Sequence, residues 1–182
     1  NNLLRLSALS SDPTATILLL YRDPIATSRS LHRLHLQFCT ATGDKFTQRY
    51  MAWLGHHEFG PGHQPFAFAK PRMNPALQPN DPNYWLDYWN AVYLHVLDLR
   101  DSRFSLISHD QMRQAPSQFL AAIFALLSVQ SDLSAMAAQI RTPVTLEKPP
   151  SEFSPEILSA VRETHRRLLA DASNILPSNT SS

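Results

Sequence analysis

The segment Thr14-Ala-Thr-Ile-Leu-Leu-Leu-Tyr21, followed at once by Arg22-Asp23-Pro24, decides the predicted fold. Residues 14–21 form a continuous β-branched and apolar run, which is typical of a strand buried on both faces in a parallel sheet. Asp23 can cap a helix and Pro24 suits the first helical position, so a helix is predicted over about residues 24–40. A buried strand that leads directly into a helix indicates an α/β fold.

Apolar periodicity along the rest of the chain predicts mostly helices. The expected helices lie near residues 3–9, 46–54, 82–99, 116–129, 133–140 and 155–172, and one further strand lies near 103–107. Residues 59–83 carry six prolines and three phenylalanines, which excludes a regular helix there and predicts an ordered excursion packed on the domain. Because two strands alone do not make a stable sheet, we expect part of the sheet to lie upstream of residue 1.

The composition describes an ordinary folded domain. Of the 182 residues, 43% are hydrophobic and 17% are charged, so residues 1–172 are predicted to form a single domain and 173–182 a flexible polar tail. The chain holds 16 basic and 15 acidic residues, a balance that argues against a nucleic-acid partner. The longest strongly apolar run, Ile17 to Leu20, is too short for a membrane span. No secretory signal is visible, so a cytoplasmic location is predicted.

Arg22 and Ser30 form the predicted anion-binding pair. Arg22 stands at the carboxyl end of the predicted strand, where open α/β sheets bind their ligands. Ser30 follows eight positions later, in the second turn of a helix whose N-terminus favours anions. A guanidinium and a hydroxyl in this arrangement can converge on one phosphate group. The alternative is that Arg22 pairs with a carboxylate and that Ser30 is an ordinary helical serine.

This segment resembles the second half of a sulfotransferase domain, the P-loop-like fold that uses 3′-phosphoadenylyl sulfate (PAPS). In that family an Arg at the strand end and a Ser eight residues later hold the 3′-phosphate of the nucleotide, and Arg22 and Ser30 match both residue types and the spacing. A weaker similarity lies in residues 104–116, where Asp110 matches the Asp of the family's Tyr-Glu-Asp-Leu turn and His109 replaces the Glu. The resemblance covers about residues 3–127.

The resemblance implies an enzyme that transfers a sulfuryl group from PAPS to a hydroxyl or amine acceptor. The expected partners are this nucleotide donor and an acceptor of open identity, and no metal is expected. The 5′-phosphosulfate loop and the catalytic base of such domains would precede residue 1. The resemblance therefore implies an incomplete, helix-rich sulfotransferase sandwich with a short parallel sheet, and leaves open whether this chain alone is active.

Two other classes of function compete with this interpretation. One is a non-catalytic helical interaction module that kept the fold and lost the chemistry. The other is a nucleotide kinase of related architecture. A kinase requires a Gly-x-x-x-x-Gly-Lys-Ser/Thr loop, which does not occur in these 182 residues. The kinase is therefore the least favoured of the three.

The loop after the predicted helix 46–54 carries a cluster of ionisable residues. His57 and Glu58 are predicted to lie on the acceptor side of the site. A metal site formed by His57, Glu58 and His63 is less favoured, because six positions and the segment Gly60-Pro61-Gly62 separate the two histidines.

Two groups of helical side chains are predicted to have structural roles and no direct role in the site. The polar residues that share a helix with Ser30 are interpreted as a solvated face, and they are Arg29, His32, Arg33 and His35. An approach of His35 to the nucleotide is the less favoured alternative. The aromatic residues Trp85, Tyr88 and Trp89 are interpreted as core, which is favoured over a platform for the acceptor.

Overall fold

The computed structural model describes residues 2–41, 45–68, 72–99, 104–140 and 150–172. After a 3₁₀ turn at Asn2–Arg5, the elements in chain order are α1 (Leu6–Ser10), β1 (Ile17–Tyr21), α2 (Pro24–Ala41), α3 (Lys45–Trp53), α4 (Pro82–Asp98), β2 (Phe104–Ser108), α5 (His109–Gln114), α6 (Pro116–Leu127), α7 (Leu133–Ala137) and α8 (Pro155–Ala172). The predicted α/β class, rich in helix and with a short parallel sheet, is confirmed. The predicted tail, 173–182, lies outside the described residues.

The chain divides into two compact units. The first unit contains Asn1–Asp23, Leu97–Pro149 and His165–Ser182, and the second contains Pro24–Val96 and Pro150–Thr164. In the described part of the chain, no helix has both the length and the apolar content needed to cross a bilayer.

The first unit is built on a two-stranded parallel sheet. Ile17 of β1 lies opposite Phe104 of β2, and the register runs to Tyr21 opposite Ser108. Both strands therefore end at the same edge of the sheet. The buried apolar residues of this unit come from the sheet and from the helices α1, α6 and α8, and they are Leu6, Leu19, Tyr21, Phe104, Leu106, Ile107, Phe119, Leu120, Leu168 and Ala172.

The predicted burial of β1 on both faces is wrong. Leu19 and Tyr21 are buried, but Leu18 is 36% exposed and Leu20 is 51% exposed. Alternate residues of a strand point to opposite faces, and only the face that carries Leu19 and Tyr21 is packed. An unbroken apolar run shows that both faces tolerate burial, whereas burial itself depends on which elements cover the sheet.

The second unit is centred on α4. Trp85 and Trp89 of this helix are almost fully buried, which confirms their interpretation as core, whereas Tyr88 is partly buried; Leu86 is fully buried as well. Of the predicted excursion 59–83, residues 59–68 and 72–81 form neither helix nor strand, as expected, whereas Pro82 and Asn83 already belong to α4. They are nevertheless held in place, because the backbone N–H of Phe66 donates to the Tyr88 hydroxyl at 3.2 Å. Gly60 has a φ of +82°, and a Cβ there would meet the Cβ of Phe38 at 3.4 Å.

A buried hydrogen bond joins α4 to the first half of α8 in the second unit. The Thr164 hydroxyl donates to Oδ1 of Asn90 at 2.7 Å, and the two residues are 3% and 8% exposed. We expect Thr164→Val to lower the free energy of unfolding by about 1–3 kcal/mol, because the buried amide oxygen loses its donor. Urea denaturation followed by circular dichroism measures this effect. The exposed Ser159→Ala in the same helix is the control, and an equal loss in both variants would contradict the prediction.

Candidate anion-binding site

The carboxyl ends of the two parallel strands place Arg22 and His109 at the same edge of the sheet. Arg22 follows Tyr21, the last residue of β1, and His109 follows Ser108, the last residue of β2. Because Tyr21 and Ser108 are register partners, the two side chains leave neighbouring strand ends. This edge is where open α/β sheets bind ligands, as the sequence predicts for Arg22.

A cavity of about 370 Å³ lies at this edge, within the first unit. The described residues of its lining are Arg22, His109, Met112, Arg113, Gln139 and Ile140, and these six residues include two guanidinium groups, one imidazole and no carboxylate. Among the residues that the structure describes, the exposed Arg22 side chain makes no hydrogen bond or ion pair. A cavity lined in this way favours an anionic ligand, and the Arg22 guanidinium can bind a phosphate group through two parallel hydrogen bonds.

The turn that carries Arg22 is held by Asp110. Oδ2 of Asp110 accepts a hydrogen bond from the backbone N–H of Asp23 at 2.7 Å. Asp110 is itself positioned because Ser108 caps α5, where its hydroxyl oxygen accepts from the backbone N–H of Gln111 at 3.3 Å. Residues 108–110, interpreted as a turn from the sequence, therefore form a capped start to a six-residue helix. Through Asp110, this helix fixes the backbone next to Arg22.

A cluster of polar side chains, Tyr21, Ser108 and His165, lies at the carboxyl ends of β1 and β2. Burial raises the pKa of Tyr21 to about 12, although hydrogen bonding to the Ser108 side chain acts in the opposite direction. The Tyr21 ring makes an edge contact with His165, with 6.0 Å between the ring centroids. Burial lowers the pKa of His165, while the carboxylates of Asp23 and Asp110 act to raise it. At neutral pH Tyr21 and His165 are therefore uncharged.

Ser30 lies in α2, within the second unit, whereas Arg22 lies in the first unit. The Ser30 side chain is half-buried and makes no hydrogen bond to any described residue. Its neighbour Ser28 is fully buried and donates to the carbonyl of Pro24 at 2.7 Å. Ser28 thus has a structural partner in the first turn of α2, and Ser30 retains an available hydroxyl. The convergence of Arg22 and Ser30 on one anion stays a prediction.

The predicted acceptor-side residues, His57 and Glu58, lie in the loop that follows α3. Their carbonyl oxygens both face Nδ1 of His63, at 3.2 Å from His57 and 2.7 Å from Glu58. The Glu58 side chain is exposed, and one of its oxygens lies 3.4 Å from Nδ1 of His56. Both residues thus hold the loop through their backbone, and their contact with an acceptor stays a prediction.

His63 belongs to a hydrogen-bonded aromatic cluster. Because Nδ1 of His63 donates to the Glu58 carbonyl, Nε2 accepts from the Tyr84 hydroxyl at 2.7 Å. The His63 ring lies 4.8 Å from that of Trp85 and 5.7 Å from that of His35, measured between centroids. Within the described ranges, no three histidine, cysteine or acidic side chains are grouped closely enough to hold a metal ion.

The interpretation of His35 as part of a solvated face is wrong. His35 is only 3% exposed, and its Nδ1 accepts from the backbone N–H of Gly60 at 3.2 Å. Its Nε2 lies 3.4 Å from Sγ of Cys39, one helical turn further along α2. The excursion that contains Gly60 covers this side of the helix, which the polarity of a single helix does not reveal. Arg29, from the same predicted face, pairs with Glu152 through two hydrogen bonds of 2.5 and 3.1 Å.

Sequence reasoning missed two of the basic residues that line the cavity. In the sequence, His109 stands out only as the replacement for the Glu of the sulfotransferase turn, and no motif marks Arg113. Their spacing of four places them on one face of α5, so a helix prediction over residues 109–114 was the signal that could have joined them. The parallel register then brings them to the strand edge that carries Arg22.

In comparisons with known proteins, no family model, no curated protein and no solved structure matches this chain.

Proposed function

We propose that this chain carries the 3′-phosphate-binding part of a sulfotransferase-like domain of P-loop-like architecture. In this proposal a sulfuryl group passes from PAPS to a hydroxyl or amine acceptor. The observation that supports it is the position of Arg22, which stands at the carboxyl end of a parallel strand and lines a cavity whose described lining residues include two more basic side chains and no carboxylate. Ser30 is proposed to donate its hydroxyl to the same phosphate.

The chemistry of the proposed reaction determines the roles of Arg22 and Asp110. The acceptor oxygen or nitrogen forms a bond to sulfur and loses its proton, while the bond from sulfur to the 5′-phosphate oxygen breaks and adenosine 3′,5′-bisphosphate leaves. Such transfers depend mainly on positioning and on stabilisation of charge at the leaving group. Arg22 would position the nucleotide by its 3′-phosphate, and the Asp110 carboxylate would keep the Arg22 turn rigid through the Asp23 N–H. No residue of this chain is assigned as the catalytic base.

Acceptor recognition is proposed to involve the loop with His57 and Glu58. Its exposed carboxylate and its half-buried imidazole can hydrogen-bond a hydroxyl or an amine. The backbone of this loop is fixed by the hydrogen bonds to His63, so the two side chains project from an ordered segment.

The direct test measures binding of adenosine 3′,5′-bisphosphate to this chain by isothermal titration calorimetry. We expect Arg22→Ala to weaken binding by about 1.5–3 kcal/mol, which is roughly 10- to 150-fold, because a charged hydrogen bond to phosphate is lost. Ser30→Ala is expected to weaken binding by about 0.5–1.5 kcal/mol, as for a neutral donor. Arg5→Ala removes another exposed arginine of the first unit and is expected to leave the affinity unchanged.

Two outcomes would contradict the proposal. Equal affinity in the Arg22→Ala variant and the unaltered chain would remove Arg22 from the site. Equal affinity for adenosine 5′-monophosphate and for the bisphosphate would remove recognition of the 3′-phosphate. Binding of the bisphosphate, with no sulfuryl transfer from PAPS to any of a panel of phenols, sugars and amines, would instead favour the non-catalytic alternative.

A further inference from the structure

Helix α3, Lys45–Trp53, presents aromatic side chains to solvent. Phe46 is 74% exposed, Tyr50 is 51% exposed and Trp53 is 91% exposed. The rings of Phe46 and Tyr50 are stacked, with centroids 6.2 Å apart and planes 9° from parallel. The other two tryptophans of the chain, Trp85 and Trp89, are 1% and 3% exposed. A contiguous exposed aromatic surface of this kind marks an interaction site.

The three aromatic residues share one face of α3. Their spacings of four and three follow the helical repeat, so Phe46, Tyr50 and Trp53 form a continuous stripe. Leu54, directly after the helix, extends the apolar surface and is 52% exposed. We refer to these four residues as the α3 aromatic stripe.

Positive charge borders the α3 aromatic stripe. Lys45 and Arg49 are exposed and lie one position before Phe46 and Tyr50, which places them along one side of the stripe at about 100° per residue. No aspartate or glutamate occurs between Lys45 and His57 in the sequence. Helix α3 therefore combines apolar aromatic rings with cations, and none of its nine residues is a carboxylate.

We propose that α3 binds an anionic lipid surface. Helices that lie in the interface plane of a bilayer combine aromatic and apolar residues on one face with Lys and Arg beside them. Tryptophan and tyrosine favour the headgroup level, because their rings are apolar and carry a polar atom. In this arrangement the α3 aromatic stripe inserts at the headgroup boundary, and Lys45 and Arg49 contact lipid phosphates. The inference is independent of the proposed nucleotide site.

Charge and size favour this occupant over a second copy of the chain. Two copies that met through this face would bring Lys45 and Arg49 of each copy close to those of the other, with no carboxylate of α3 to pair with them. A nine-residue helix is only about 14 Å long, so one such face buries less than the roughly 1,000 Å² that a stable interface requires. A lipid surface imposes no such minimum area and supplies the opposite charge.

Trp53 provides the readout for the test. Vesicles of phosphatidylcholine with phosphatidylserine are expected to shift the Trp53 emission to the blue and to reduce its quenching by acrylamide, whereas vesicles of phosphatidylcholine alone are not. Co-sedimentation should show that Lys45→Gln/Arg49→Gln weakens binding about 30-fold, since each basic residue near an anionic surface contributes about 1 kcal/mol. Phe46→Ser/Tyr50→Ser should also reduce binding at least tenfold. Added salt should weaken binding of the unaltered chain.

The control exchanges two other exposed arginines, in the variant Arg162→Gln/Arg167→Gln of α8, and should bind vesicles as the unaltered chain does. Circular dichroism establishes that every variant keeps its helix content. Equal binding to neutral and anionic vesicles would overturn the proposal. So would a blue shift of Trp53 that depends on protein concentration without lipid, because a second copy would then cover the stripe. A shift produced by poly-glutamate but by neither kind of vesicle would also overturn it, and would indicate an acidic polypeptide.

Discussion

A Trp85→Ala variant is expected to lose about 3–5 kcal/mol of the free energy of unfolding. Trp85 is 1% exposed, and its ring packs against the rings of Phe59 and His63 at centroid distances of 5.6 and 4.8 Å. Its Nε1–H also donates to the carbonyl of Pro79 at 2.7 Å. Truncation therefore leaves both a large cavity and a carbonyl without its donor. Because Trp85 joins α4 to Phe59, His63 and Pro79 of the irregular segments, its truncation destabilises the core of the second unit.

Chemical denaturation followed by circular dichroism measures the loss as a lower midpoint with an unchanged slope. The chain offers a matched control in Trp53→Ala. This variant removes the same side chain from a position that is 91% exposed, and it is expected to change the free energy of unfolding by no more than about 0.5 kcal/mol. If both substitutions cost the same, Trp85 does not have the packing described above.

Acidification below about pH 6.5 is expected to destabilise the protein steeply. Burial lowers the pKa of His35, His63 and His165 from the ordinary value of 6.5. The unfolded chain therefore takes up these protons at a higher pH than the folded protein does. The stabilisation is complete above pH 6.5 and is lost as the pH falls from 6.5 towards the lower folded pKa values. Each histidine contributes a slope of at most about 1.4 kcal/mol per pH unit.

The His35 and His63 pair is the physical centre of this effect. Their rings lie 5.7 Å apart in an aromatic cluster, so protonation of both would place two positive charges side by side with little water. The nearby hydrogen bonds fit the neutral form of His63, whose Nε2 accepts from Tyr84. Asp87 acts in the opposite direction at lower pH, because burial raises the pKa of its carboxyl above 3.8 and the folded state then gains stability on protonation.

Denaturation curves over about pH 7.5–5.5 separate the histidine effect from that of Asp87. The His63→Gln variant is expected to be less stable at neutral pH and to lose one of the three histidine contributions to the slope. Gln64→Ala, at an exposed position of the same segment and without a titratable group, should keep the slope of the unaltered chain. A free energy of unfolding that does not change between these pH values would contradict the prediction.

Helix starts were the most predictable part of the fold. The helices α2, α4, α6 and α8 all begin at a proline, at Pro24, Pro82, Pro116 and Pro155. Proline fixes its own φ near the helical value and lacks only an N–H that the first turn does not use, so the signal acts within one residue. The bounds predicted for the last helix, 155–172, agree with those of α8 for the same reason.

The candidate site could be predicted only in part. The strand end at Arg22 followed from an apolar run and the Asp23-Pro24 pair, both of which are local. To predict that Arg113 and His109 line the same cavity, two further facts are needed: α5 is a helix, and β2 pairs in parallel with β1. The second fact joins residues more than 80 positions apart, and no local pattern contains it.

The sequence by itself determined the α/β class, most helices and the placement of Arg22 at a strand end, because backbone restriction, capping and periodicity act over a few residues. Only the tertiary structure decided which faces are covered. His35 of the polar α2 face is buried beneath Gly60, whereas Trp53 and Phe46, which have the spacing of a core face, stand in solvent. Burial depends on segments that are distant in the chain and meet only after folding, so a helix's own periodicity identifies a face without showing what packs against it.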